Sequence, residues 1–215
     1  MISTFINPIQ ALDHEYDVIN QAAGTPGGDR FDNEIGIPFT KQTLKDATEF
    51  IWQTFKQNNG NGGRNYAGIT VVISNLYNGP ASYASNNIIF INSNYIQAYQ
   101  GDVRIEVIGI IYHQATHVWQ WTGNGRIPQG LFTGIADYVR LKADYAPKHW
   151  AKRGSGSNWD QGFEITAYFL DYCEDLSDGF VGDLNALMKD SYSDDFFVQL
   201  LGKSVDQLWN DYKSQ

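Results

Sequence analysis

The sequence has few charged residues for its 215 positions, a single cysteine and no long apolar segment. Charged residues make up 18% of the chain, and 24 acidic residues outnumber 15 Lys and Arg. A nucleic-acid-binding surface needs a basic stripe, so this balance argues against a nucleic-acid partner. Cys173 alone forms neither an intrachain disulfide nor a cysteine-based zinc site. No apolar segment approaches the roughly 20 residues of a membrane helix, so no membrane partner is expected.

Two marks of secretion are also lacking. Met1 is followed by neither a positively charged segment nor an apolar core, which is typical of a cytosolic start or of a trimmed mature chain. No Asn-x-Ser/Thr glycosylation site occurs. Apolar and aromatic residues are abundant, since 42% of the residues are hydrophobic and 12 Phe, 13 Tyr and 6 Trp are present. Such a composition excludes intrinsic disorder.

Hydrophobic periodicity predicts strands first and helices later. Strands are predicted at 16–20, 69–73 and 88–91, the last two as neighbours, with a turn at 24–28 and a glycine-asparagine loop at 58–65. A helix is predicted from an N-cap at Thr40 to about Gln57, and Asp194 and Asp195 are expected to start another. From Val103 onward, helices are predicted near 103–121, 131–143, 160–173, 180–189 and 204–213. This order predicts an α+β fold in one domain over 1–215, sheet-rich at about 12–102 and helical at about 103–215.

The segment His113-Gln114-Ala115-Thr116-His117 contains the main chemical signal. Residues four apart share one face of a helix, so the two imidazoles can hold one metal ion. In the zinc-peptidase motif H-E-x-x-H, the Glu is the base that deprotonates metal-bound water. Gln114 stands in its place, and a carboxamide cannot take that proton. A second interpretation, in which both histidines are core residues bonded to the backbone, stays open on this pattern alone.

A later helix carries Thr133-Gly134-Ile135-Ala136-Asp137. In thermolysin-like zinc peptidases, the corresponding E-x-x-x-D motif provides the third zinc ligand and an Asp that braces a zinc-bound histidine. Asp137 matches the bracing position. Thr133 stands where the third ligand is expected.

These motifs resemble those of the plant basic secretory proteins, a pathogenesis-related group predicted to be zinc peptidases. The resemblance covers the segments 22–28, 83–87, 101–104, 117–121, 134–143, 159–162 and 205–212. It implies a zincin-like fold, in which a small mixed sheet lies above the helix bearing His113 and His117, with the cleft between the sheet edge and that helix. It also implies an extracellular or secretory location. The chain departs from the family at two motifs. The family has H-E-M-T-H where this chain has residues 113–117, and E-G-I-A-D-Y where it has residues 133–138.

Gln114 and Thr133 together predict that zinc-peptidase chemistry has been lost through natural divergence, since one engineered Glu→Gln change leaves Thr133 unexplained. No cofactor is expected, apart from weak or residual zinc at His113 and His117. Three functions stay open. They are a binding pseudoenzyme of a defence-related kind, a metal-independent His–Asp acid–base enzyme acting on a small molecule, and a zinc peptidase with a replacement ligand from His149, Glu164, Asp160 or Asp144.

The candidate site residues follow from these motifs. The catalytic candidates are His113, His117, Asp137, Gln114 and Tyr138, and the ligand-contacting candidates are Tyr112, Thr133, Trp119, Asn87 and Tyr83. Trp119 is more typical of a core or cleft-wall position, and the strand at 88–91 is either the edge strand of the cleft or an ordinary sheet strand. We expect both imidazoles to face an open pocket, with Asp137 accepting a hydrogen bond from one of them. The expected partner is a small molecule or a peptide, and the expected state is a monomer.

Overall fold

The computed structural model describes residues 15–57, 64 and 68–215, so most of the predicted loop at 58–65 lies outside the described residues. Helices and strands both form, in an order that confirms the α+β prediction. The strands are β1 (Glu15–Asn20), β2 (Gly68–Ser74), β3 (Ser82–Ser85) and β4 (Ile88–Asn92). The helices are α1 (Pro26–Glu34), α2 (Ile37–Thr54), α3 (Ser93–Ala98), α4 (Val103–Trp119), α5 (Gln129–Lys142), α6 (Phe163–Leu176), α7 (Phe180–Leu187), α8 (Asp195–Leu201) and α9 (Val205–Lys213).

The described strands form one small mixed sheet in the order β1-β2-β4-β3. β1, β2 and β4 are parallel, whereas β3 pairs antiparallel with β4. The predicted pairing of the segments 69–73 and 88–91 is therefore confirmed. The alternative that 88–91 is the edge strand is wrong, because β4 lies between β2 and β3. The edge strand beside β4 is β3. The chain turns from β3 into β4 at Asn86 and Asn87, and Asn86 adopts a left-handed conformation.

Helix α2 begins four residues earlier than predicted. Gly36 is its N-cap and Pro38 lies in its first turn, where a missing N–H costs nothing. The predicted cap, Thr40, is instead buried within the helix and donates its hydroxyl to the Gly36 carbonyl at 2.9 Å. The helix also ends at Thr54 rather than near Gln57.

The glycine-rich segment that was predicted to be a turn instead starts helix α1. The Thr25 side chain accepts a hydrogen bond from the Gly28 N–H, and Pro26 is the first helical residue. The two glycines serve close packing, since a Cβ on Gly27 would lie 1.9 Å from the Ser93 carbonyl oxygen. The turn prediction at 24–28 is therefore wrong from Pro26 onward.

Helices α4 and α5 pack side by side and carry the residues of interest. Asp102 caps α4 by accepting from the Arg104 and Ile105 N–H groups. Where the two helices meet, Arg140 donates to Glu106 at 2.9 Å, and both side chains are buried. Gly109 leaves room for this pair, because a Cβ there would lie 2.4 Å from Arg140 Nε.

Helix α6 packs on the far side of α5 and contains the lone cysteine. Cys173 is fully buried, and burial raises the pKa of its thiol well above the ordinary range. Among the described residues, no helix is both long enough and apolar enough to span a membrane.

Candidate functional site

The two histidines of α4 project from one face, one helical turn apart. His113 Nε2 and His117 Nε2 lie 3.1 Å apart, with the ring planes nearly perpendicular. His113 Nδ1 lies 2.5 Å from an oxygen of Asp137, which α5 brings alongside. The expected contact between Asp137 and one imidazole is thus present.

Gln120 extends this line of contacts at the end of α4. Its Nε2 lies 3.0 Å from His117 Nδ1 and 3.1 Å from the carbonyl oxygen of Phe132. The Phe132 ring also stacks on His117, with centroids 4.2 Å apart. Burial, together with the neighbouring His113, holds the pKa of His117 well below its ordinary value. Sequence analysis missed Gln120, although a glutamine between two tryptophans, three residues after His117, was a signal for it.

Gln114 is directed towards the sheet. Its Nε2 donates to Ser82 Oγ at 3.0 Å, which joins α4 to the edge strand β3. The side chain is buried, and its oxygen has no hydrogen-bond partner within the described part of the chain. The residue in the place of the general base therefore connects a helix to a strand.

Thr133 is occupied by backbone contacts. Its hydroxyl lies within hydrogen-bonding distance of the Gln129 and Gly130 carbonyls, at 3.2 and 3.3 Å. It also accepts the N–H of Phe163, at 3.2 Å. The residue in the place of the third zinc ligand therefore ties the start of α5 to the start of α6.

A cavity of about 420 Å³ lies between the β3 end of the sheet and α4. Its walls come from the approach to β3, from α4 and α5, and from the segment that leads into α6. The lining residues are Pro80, Ala81, Ser82, Tyr95, Glu106, Ile110, His113, Gln114, Asp137, Arg140, Pro147, His149, Trp150, Phe163 and Glu164. His113 lines this cavity and His117 does not. The expectation that both imidazoles face an open pocket therefore fits His113 alone.

Several predicted ligand-contacting residues lie away from this cavity. Tyr112 is buried between Phe50 and Tyr145, and burial raises its pKa to about 12. Trp119 is fully buried and packs edge-on against Trp52. This position agrees with the interpretation of Trp119 as a core residue.

The remaining candidates are also placed elsewhere. Tyr138 is buried on the α6 side of α5, where burial and the nearby Glu174 raise its pKa. Tyr83 stacks on Phe90 at 4.8 Å, on the sheet face opposite Ser82, because side chains alternate along a strand. Asn87 donates to the Gly68 carbonyl and lies in the turn between β3 and β4.

The resemblance to zinc peptidases raises the question of whether these residues fit a zinc ion. Two imidazole nitrogens on one tetrahedral zinc lie roughly 3.3 Å apart, which is close to the separation of the histidine Nε2 atoms. A third ligand is missing, since no group of three or more His, Cys, Asp or Glu suited to a metal occurs in the described ranges. The residues present therefore do not fit a catalytic zinc site.

The replacement ligands considered above do not complete such a site. His149 and Glu164 line the cavity, and Glu164 accepts from the Ala151 N–H. Asp160 lines a different groove, beside Trp209. Asp144 follows α5 in a left-handed turn.

The fold and the site together define a class: a mixed α+β protein with a His-x-x-x-His helix beneath a small sheet, and an Asp on the next helix that contacts the first histidine. The comparisons with known proteins agree with this class. The model of the BSP family, described as a peptidase of plants and bacteria, matches residues 13–212. The chain belongs to this family.

A curated relative extends the comparison. The chain is similar to the basic secretory protease of Boswellia serrata, with 38% identity over 56 residues. The match covers 26% of this chain and 62% of the relative, so the chain spans less than two thirds of that protein. No solved structure matches.

Proposed function

We propose that this protein binds a small organic molecule or a peptide in the cavity beside His113, and that it does not hydrolyse peptide bonds through zinc. The observation that carries the proposal is the set of contacts made by Thr133. Its hydroxyl is directed at the Gln129, Gly130 and Phe163 backbone groups and provides no carboxylate for a metal. Gln114 cannot serve as the general base, and its amide is bonded to Ser82. The fold is then a zincin-like scaffold with altered chemistry.

The walls of the cavity favour an uncharged or cationic ligand. Glu106 and Arg140 neutralise each other, which leaves Asp137 and Glu164 as acidic groups along the lining. Phe163 is 55% exposed and lies roughly parallel to the His113 ring. Aromatic walls with a few polar groups are typical of small-molecule sites, and aromatic faces attract cations.

A second candidate function is metal-independent acid–base catalysis in the same cavity. The contact of 2.5 Å between His113 and Asp137 favours it, because a carboxylate that orients an imidazole makes a competent proton-transfer unit. Such activity would be insensitive to chelators. It would fall by about 10² or more in His113→Ala.

Retained zinc-peptidase activity is the third candidate. The spacing of the two histidines and the name of the Boswellia serrata relative favour it. That name also supports an extracellular location, which we propose for this chain together with a monomeric state.

The test compares the purified wild-type chain with His113→Ala and with the control Tyr83→Ala, which changes the opposite sheet face. We expect well under one zinc per chain after dialysis, and casein hydrolysis at background with or without chelator. A thermal-shift screen of small amines and aromatic heterocycles should find ligands whose effect disappears in His113→Ala and persists in Tyr83→Ala. Stoichiometric zinc with chelator-sensitive proteolysis would overturn the proposal in favour of the peptidase.

A further inference from the structure

The described surface contains a second space, which shares no lining residue with the cavity beside His113. It is a groove of about 490 Å³ with walls from α9 and from the segment that leads into α6, and we call it the α9 groove. Its lining residues are Ser157, Asn158, Trp159, Asp160, Asp206, Trp209 and Asn210. We propose that the α9 groove binds a neutral carbohydrate through its two indole N–H groups and its two carboxylates. This site lies beyond the proposed function, which concerns the cavity beside His113 alone.

One wall of the α9 groove is a single side of helix α9. Trp209 and Asn210 follow Asp206 by three and four residues, so the three side chains leave the helix in similar directions. Asp206 and Asn210 are exposed, and neither side chain makes a hydrogen bond within the described ranges. Their carboxylate and amide groups are therefore available to a ligand.

The other wall, residues 157–160, is anchored to the end of α9. Lys213 donates to the Gly156 carbonyl at 2.9 Å, and the Tyr212 hydroxyl accepts the N–H of Gly154 at 2.7 Å. These contacts hold the segment beside the helix, so the groove exists without a ligand. A preformed site avoids the free-energy cost of ordering the protein on binding.

The two tryptophans of the α9 groove present hydrogen-bond donors to it. Trp159 and Trp209 are each only 8% exposed, and both rings pack on Phe169, with centroids 6.3 and 5.5 Å apart. Neither indole N–H makes a hydrogen bond in the part of the chain that the structure describes, yet neither nitrogen is sealed from solvent. Since both residues line the α9 groove, their N–H groups open into it. Packing of the rings gives these two donors fixed directions.

The polar groups of the α9 groove exclude several kinds of ligand. An indole N–H can only donate and a carboxylate can only accept, so the ligand must offer both acceptors and donors. Asp160 and Asp206 repel an anion, and no Lys or Arg is among the described lining residues. A metal ion or an ammonium group has no acceptor for the indoles. The described residues also contain no group of three or more His, Cys, Asp or Glu suited to a metal.

A sugar meets both requirements, because each of its hydroxyls can donate one hydrogen bond and accept others. Neighbouring hydroxyls on the ring can donate together to the two oxygens of one carboxylate, while further hydroxyls accept from the indole and asparagine N–H groups. The volume of about 490 Å³ lies within the range of about 300–1,000 Å³ that is typical of small-molecule sites. A neutral mono- or disaccharide therefore fits the donors and acceptors of the α9 groove.

The direct test is ¹H–¹⁵N NMR of the full chain, whose six tryptophans each give one indole N–H signal. Trp159→Phe and Trp209→Phe assign two of these signals by their loss. The titrants are glucose, galactose, mannose, xylose, N-acetylglucosamine and their β-1,4-linked disaccharides. Glycerol is the control for a polyol without a ring, and trialanine is the control for a peptide. We expect a sugar to shift the Trp159 and Trp209 signals in a saturable way, and both control compounds to leave them in place.

Three results of this titration would overturn the inference. The first is the absence of a saturable shift of the two signals with every sugar. The second is a response to glycerol or trialanine as large as the response to any sugar. The third is a shift of the Trp150 signal alone, because Trp150 lines the cavity beside His113 and the sugar would then bind there. That result would support the proposed function while it removed the α9 groove as the site.

Variants of the lining residues test the contacts one at a time. Asp206→Ala removes a carboxylate and should weaken sugar binding at least about tenfold, because hydrogen bonds to charged groups are the stronger ones. The matched control Asp195→Ala makes the same change in the first turn of α8, outside the groove, and should bind as the wild-type chain does. Trp209→Phe keeps an aromatic ring in the core without its donor and should weaken binding about threefold or more, as followed by the Trp159 signal. Equal affinities of the wild-type chain and a folded Asp206→Ala chain would contradict the proposal.

Discussion

At the scale of single residues, two side chains separate this site from the peptidase motif that it resembles. Gln114 differs from glutamate by one polar group, and Thr133 differs by length as well as charge. Each is held by protein contacts, to Ser82 in one case and to backbone groups in the other. Restoring one residue alone therefore leaves either the third ligand or the general base missing.

The double variant Gln114→Glu/Thr133→Glu should bind zinc much more tightly than either single variant. A carboxylate at position 133 supplies the missing ligand, and one at 114 adds negative charge and a base. Isothermal titration with zinc measures the effect, and Gln114→Glu/Thr133→Gln controls for the size of the new side chain. Equal gains from the two single substitutions would argue against one shared site.

At the scale of elements, the seam between α4 and α5 is held by a buried ion pair. Glu106 accepts from Arg140 and from the hydroxyls of Tyr95 and Tyr99, so it is well supplied with donors. Glu106→Leu leaves Arg140 buried without its partner, and we expect a loss of about 3–5 kcal/mol in the free energy of unfolding.

The matched variants complete a double-mutant cycle on this pair. Arg140→Leu should cost a similar amount, whereas Glu106→Leu/Arg140→Leu should cost clearly less than the two single losses combined. Urea unfolding followed by circular dichroism gives the three values. Additive losses would show that the two side chains stabilise the seam independently of each other.

The elements differ in how far the sequence predicts them. The segments that became β2, β4, α4 and α5 have clear apolar periodicity, and their predicted bounds differ from the observed ones by two residues at most. Helix α1 was missed because glycines normally indicate a turn, whereas here Gly27 is needed for contact with the Ser93 backbone. That need arises from the tertiary packing, which no local pattern contains.

The site was predictable where spacing within a helix decides the geometry. His113 and His117 share a face because they are four residues apart, and Asp137 was identified by its position in a known motif. His149, Trp150 and Phe163 reach the cavity from a segment far along the chain. Tyr83 lies away from the cavity because its side chain alternates to the far face of β3, an edge strand that the sequence did not reveal.

At the scale of the whole molecule, the desolvated imidazole of His117 links stability to pH. In the unfolded chain this group titrates near its ordinary value of 6.5, and in the folded chain its pKa is far lower. Below about pH 6.5 the unfolded state therefore binds more protons, and stability falls as the pH falls. His117 alone should contribute a slope of up to about 1.4 kcal/mol per pH unit.

The measurement is the free energy of unfolding between pH 7 and pH 5, for the wild-type chain and for His117→Gln. The variant should have a shallower slope in this window, whatever its absolute stability. His149→Gln is the control, because it removes an imidazole from the cavity without touching the contacts of His117. Equal slopes for wild type and His117→Gln would show that His117 does not cause the acid sensitivity.

The isolation of Cys173 in the core has a practical consequence for labelling. Only the thiolate reacts quickly with maleimides, and burial keeps this thiol both protonated and inaccessible. The chain therefore behaves as a cysteine-free background in its native form. A cysteine in place of the exposed Phe163 would accept a fluorophore selectively at the mouth of the cavity. Its emission would report when the cavity fills, without any knowledge of what fills it.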